Sequence, residues 1–126
     1  MTGTIITEIL VNNEAVAAIV GDRVYPVVIP QTKDMPCLVY LLTSNDPSNY
    51  NSGAAVNDRR SFSVYVVARK YSEVDDLSEK VRLALDRYSG GSVQNIFYQT
   101  ESDDFEQETM LYVRVMDFQL RLVRNL

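Results

Sequence analysis

The chain contains no histidine, which removes the side chain that most often serves as general base, proton shuttle and zinc ligand near neutral pH. Its one cysteine, Cys37, has no internal partner for a disulfide, and synthesis in a reducing cytoplasm fits that count. Cys37 lies in an apolar run whose nearest basic residue in sequence is Lys33, so a buried structural thiol is expected there, not a nucleophile. The five glycines form neither a phosphate-cradling loop nor a nucleophile elbow. No apolar run has the length of a bilayer span, and Met1-Thr2-Gly3-Thr4 places no basic region ahead of an apolar stretch; neither membrane insertion nor secretion is expected. Repeats, low-complexity tracts and linkers are also missing. These absences leave no catalytic set, no cofactor and no metal site to assign.

What is present is ordinary in amount and uneven in placement. At 126 residues, 46% hydrophobic and 23% charged, the chain has the proportions of a globular protein and is expected to form one domain over residues 1–126. Its net charge of -5 argues against a general nucleic-acid binder, because phosphate contacts need clustered Lys and Arg. Glu101, Asp103, Asp104, Glu106 and Glu108 form an acidic run, and Arg114, Arg121 and Arg124 follow it. The run reads as a solvated loop. It lacks the glycine and the alternate-ligand spacing of a calcium loop, and its carboxylates have no recognisable substrate pocket beside them.

The hydrophobic periods are clearest between Arg60 and Tyr88. Phe62, Val64, Val66 and Ala68 alternate with Ser61, Ser63, Tyr65, Val67 and Arg69, the pattern of a strand with one buried face and one mixed face open to solvent or a partner. Val74, Leu77, Val81, Ala84, Leu85 and Tyr88 then share a helical stripe, predicting a helix over about 72–89. Ser72 is placed as its N-cap and Gly90-Gly91 as its exit.

Around this centre, Thr4 to Asn12 reads as a helix and Asn13 as the cap of a further helical segment, Glu14 to Val20, in one bent helix or two. Val24 to Pro30 is an edge or irregular strand because Pro26 has no N–H. Pro36 to Thr43 is a continuously apolar strand, and Ser44 to Asp58 a long polar loop of turn formers. Val93 to Thr100 and Thr109 to Val123 complete the sheet. In the last of these Leu111, Val113 and Val115 share one parity while Met116, Phe118, Leu120 and Leu122 share the other. That change predicts a bulge near Val115 to Asp117, or a strand buried on its second face by another subunit. The expected fold is α+β: a mixed, mostly antiparallel sheet of roughly four to five strands carrying the long helix and the N-terminal helical segment.

The order and spacing of these pieces resemble a known family. Val20-Gly21-Asp22-Arg23-Val24-Tyr25-Pro26 after the opening helices, Met35-Pro36-Cys37-Leu38-Val39-Tyr40, Phe62-Ser63-Val64-Tyr65-Val66 before a helix, and the late Arg114-Val115-Met116-Asp117-Phe118 look like the tail-completion proteins of long-tailed bacteriophages, also called tail terminators or head-tail joining proteins. The resemblance covers nearly the whole chain. It implies a structural virion protein, assembled in the bacterial cytoplasm, that caps the tail tube as a homo-oligomeric ring, expected to be a hexamer. Such a ring stops tail growth and meets the tube protein on one side and the head connector protein on the other, while DNA passes without specific binding. A closed ring needs two different patches on each subunit. Tyr40, Asn49, Tyr50, Tyr65, Val67, Arg69 and Arg114 are the candidate subunit or tube contacts, and Asp103, Asp104 and Glu106 candidate lumen charges. A connector stopper, or a small-molecule-binding α+β domain, is the alternative.

Overall fold

In the computed structural model, which describes residues 2–29, 34–47 and 56–124, the chain begins with two helices and not one bent helix. α1 (Thr2–Asn12) and α2 (Glu14–Val20) meet at 91°. The break is made by Asn13, which leaves the helical region at φ -81°, ψ 120° and accepts the Val16 N–H on its side-chain oxygen at 3.1 Å, so a new helix is capped where the first ends. No single helix among the described residues is long and apolar enough to cross a membrane.

Among the described residues five strands follow: β1 (Val24–Pro26), β2 (Cys37–Pro47), β3 (Val56–Ala68) and, after helix α3 (Tyr71–Leu85), β4 (Val93–Glu106) and β5 (Leu111–Arg124). They form one sheet in the order β1-β2-β3-β5-β4. β1 runs parallel to β2 and every other pair is antiparallel. The fold is α+β with a mixed sheet, as expected.

The helices cover one face of this sheet. Phe62, Val64, Val66 and Ala68 of β3 meet Val74, Leu77, Val81 and Leu85 of α3 and Ile6, Leu10, Val16 and Val20 of the N-terminal helices in one buried cluster. Phe62 and Phe118 stack at its centre with ring centroids 5.4 Å apart. Gly3 lets α1 approach β2 closely, since a Cβ there would stand 3.1 Å from the Tyr40 ring.

Several expectations need correction. α3 starts at Tyr71 with Lys70 as its cap, without a side-chain hydrogen bond, and ends at Leu85; the left-handed residue beyond it is Arg87 at φ 63°, not a glycine. Gly90 instead pairs with Val93 in the turn that opens β4. The polar stretch after Thr43 is partly strand, because the β2–β3 ladder resumes past a bulge between Leu42 and Ser44 and runs to Pro47 opposite Asp58. Likewise Glu101 to Glu106 is strand, paired residue by residue with Met116 to Leu111. A continuing ladder satisfies the backbone whatever the side chains, so pairing overrides the turn-forming and acidic composition.

The parity change in the last strand has a third explanation. β5 pairs with β3 from Arg124 to Tyr112 without any register shift, so it carries no bulge. Met116, Phe118, Leu120 and Leu122 face the helices, while Leu111 and Val113 join Cys37 and Val67 in a small second cluster on the helix-free face, packed by Tyr25, Ile29, Met35, Tyr65 and Val115. The chain itself buries both faces at this end. The bulge lies on the neighbouring strand, between Tyr98 and Thr100 opposite Phe118 and Asp117.

Both sheet edges are shaped. Along β1, Val27 adopts φ 64°; its N–H donates to Tyr40 O at 2.8 Å and the Val28 N–H donates back to Pro26 O at 2.6 Å, a tight turn that is strained for a β-branched residue. Along the outer edge of β4, the Arg87 N–H donates to Ile96 O at 2.6 Å and the Tyr98 N–H donates to Asp86 Oδ1 at 3.0 Å. The first half of this edge is therefore covered by the chain leaving α3. Past Gln99 no strand among the described residues covers it.

Candidate functional site

The polar centre of the molecule is Arg114. It lies on the helix-facing side of β5, 8% exposed, opposite Asp103 of β4 and beneath the first turns of α3. Nε donates to Asp103 Oδ1 at 2.7 Å, one terminal nitrogen donates to Asp75 Oδ1 at 3.0 Å and Ser78 Oγ at 2.8 Å, and the other donates to the Tyr71 hydroxyl at 2.8 Å. The Tyr71 hydroxyl itself donates to Asp103 Oδ2 at 2.7 Å. All three guanidinium nitrogens are thus engaged, which is how a nearly buried cation escapes the cost of desolvation.

The electrostatics follow from these contacts. The hydrogen bond from Arg114, and next that from Tyr71, hold the Asp103 carboxyl below the ordinary range. The bond to Asp103 holds Arg114 protonated, against its burial. Beside this network Tyr71 meets Tyr112 edge to face and Phe105 lies tilted against Tyr112, around a hollow of about 480 Å³ that also touches Val74 and Val113.

Asp103 reaches Arg114 only because of the β4 bulge. Ile96 and Tyr98 face the helices before it, and Asp103 and Phe105, of opposite parity, face them after it. An unbroken strand would have turned Asp104 inward instead.

The sequence-predicted site residues scatter across this framework. Tyr40 is half-buried against α1, Tyr65 half-buried on the helix-free face, and Arg69 exposed just past β3. Val67 is fully buried in the second cluster, leaving no surface for a neighbour, and Arg114 is occupied as described. Asn49 and Tyr50 lie outside the described residues. Of the acidic residues, Asp103 faces the helices, while Asp104 and Glu106, cross-strand from Val113 and Leu111, share the helix-free face and are exposed. Of these candidates, Arg114 and Asp103 are brought together by a hydrogen bond.

Sequence reading missed Tyr71, Asp75 and Ser78, although their four-and-three spacing marks a polar stripe beside the apolar one on α3. It also missed the exposed apolar side chains at both sheet edges. Val27, Val28 and Leu42 stand at the β1–β2 edge, Tyr71, Phe105 and Met110 around the β4–β5 hairpin, and Phe97 farther along β4 on the helix-free face. Nothing in their periodicity separates them from core residues.

Comparison with known proteins agrees with this architecture. No curated protein matches the sequence significantly. A solved chain from the "Virion of native gene transfer agent (GTA) particle" superposes with a TM-score of 0.73 at 17% identity, over 94% of this chain and 92% of that one; it shares the fold. A family model described as "Tail completion protein gp17" matches residues 4–122. Since that match runs from α1 almost to the end of β5, the chain belongs to the gp17 tail completion family, structural proteins of the bacteriophage tail.

Proposed function

We propose that this chain, acting as one domain without catalytic chemistry of its own, caps the end of the tail tube as a ring, stops tail growth and joins the tail to the head. The observation that carries this reading is the distribution of exposed apolar side chains. Val27, Val28 and Leu42 lie at the β1–β2 edge and Tyr71, Phe105 and Met110 beside the β4–β5 hairpin, at opposite edges of the sheet. Large exposed apolar groups mark docking surfaces, and a head-to-tail ring requires two unlike patches on every subunit. Six subunits, the tube protein on one side and the head connector on the other complete the proposal, with assembly in the host cytoplasm. Residues 49–54, between β2 and β3, contact the tube or the connector.

The test is electron microscopy of particles made without this protein. Tails of irregular length, unattached to filled heads, are expected; regular tails firmly joined to heads would overturn the reading. Deleting Asn49 to Ala54 alone is expected to leave the fold and impair joining.

A further inference from the structure

The helix-free face carries charge of both signs, separated along the strands. Near the hairpin end are Asp104 and Glu106, exposed and out of reach of Arg114, which is on the opposite face. Toward the other end, Arg59 of β3 and Arg121 of β5 are direct register partners. Leu120 and Leu122 are core-facing, so Arg121, and with it Arg59, points away from the helices. Like charges directly opposite each other destabilise a sheet. Among the described residues no carboxylate makes an ion pair with either arginine. The row across the sheet reads Asp46, Arg59, Arg121, Asn95 by register, a surplus of positive charge even with Asp46 counted.

We infer that Arg59 and Arg121 receive Asp104 and Glu106 of a second copy of this chain. Charge complementarity singles out this occupant, because each copy carries both halves of the contact on separate ends of one face. Head-to-tail repetition of the contact then supplies the polar part of the subunit interface. The inference rests on the reading that the chain assembles with itself, and it moves Asp104 and Glu106 from a lumen lining to a subunit contact.

Native mass measured across protein concentration tests it, using the wild type, Arg59→Glu/Arg121→Glu, Asp104→Lys/Glu106→Lys, and an equimolar mixture of the two variants. The wild type is expected to associate, more tightly in about 50 mM than in about 500 mM salt. Each variant alone should associate at least about tenfold more weakly, and the mixture should recover, because each restores the charge its partner lacks. Variants that assemble like the wild type would overturn the contact and leave the ring standing. Recovery of the mixture to a dimer and no further would support the contact and overturn the ring. A wild type that stays monomeric throughout would overturn both. If the arginine variant instead lost affinity for duplex DNA with its mass unchanged, or the acidic variant gained such affinity with its mass unchanged, the face would be a DNA-facing surface and the inference wrong.

Discussion

The Arg114 guanidinium binds partners from β4 and α3 at once, and a lysine ammonium cannot reach Asp103, Asp75, Ser78 and Tyr71 together. Arg114→Lys should therefore cost about 2–4 kcal/mol, seen as a lower urea midpoint at unchanged slope, because carboxylate and hydroxyl groups are left without their donor. Asp103 sets the pH dependence of the same network. The hydrogen bonds from Arg114 and Tyr71 hold its carboxyl below the ordinary range in the folded chain, so the unfolded state takes up a proton first as pH falls. Its stabilisation is complete above the ordinary carboxylate range and is lost as pH drops through the lowered folded value. The stability gap between wild type and Asp103→Asn should accordingly be largest at neutral pH and close in acid, as read from thermal melts at stepped pH. Cys37 offers a third test. Burial pushes its thiol up to about 11, with Arg23 opposing weakly, so a thiol reagent at pH 8 should label the native chain slowly and the urea-unfolded chain fast.

At the scale of elements, the bulge at Gln99 decides which carboxylates face α3. Inserting an alanine between Ser102 and Asp103 should slide the end of β4 by one residue, turn Asp103 to the helix-free face and leave Arg114 without its β4 carboxylate. A loss of about 3–5 kcal/mol is expected from the buried cation, with the sheet content in circular dichroism retained. This element also shows where sequence reading stops. β3 and α3 were legible because each has a clean period with one apolar face. The end of β4 was not, because Glu101 and Asp103 on one face and Asp104 and Glu106 on the other are all acidic, which erases the alternation that marks a strand. The parity change in β5 was legible as a fact and misassigned as a cause: it reflects a second cluster built by Cys37, Val67, Leu111 and Val113, and those residues are brought together only by the sheet. Arg114 finds Asp75 and Tyr71 across 39 and 43 residues of chain, a distance over which local pattern carries no information.

For the whole molecule, a sheet whose strands all contribute to one core under three helices should unfold cooperatively. Helix signal in the far ultraviolet and tyrosine signal in the near ultraviolet are expected to melt at one midpoint; two separated transitions would show that residues 1–126 are not one unit. In the proposed ring, the unlike edges of this folded subunit limit how copies can meet. Because the chain leaving α3 occupies the outer side of Ile96 and Tyr98, a foreign strand approaching β4 finds room only beyond Gln99, where Glu101, Asp103, Asp104 and Glu106 place like charges against another copy of the same edge. The edge left open thereby carries its own protection against open-ended stacking of copies.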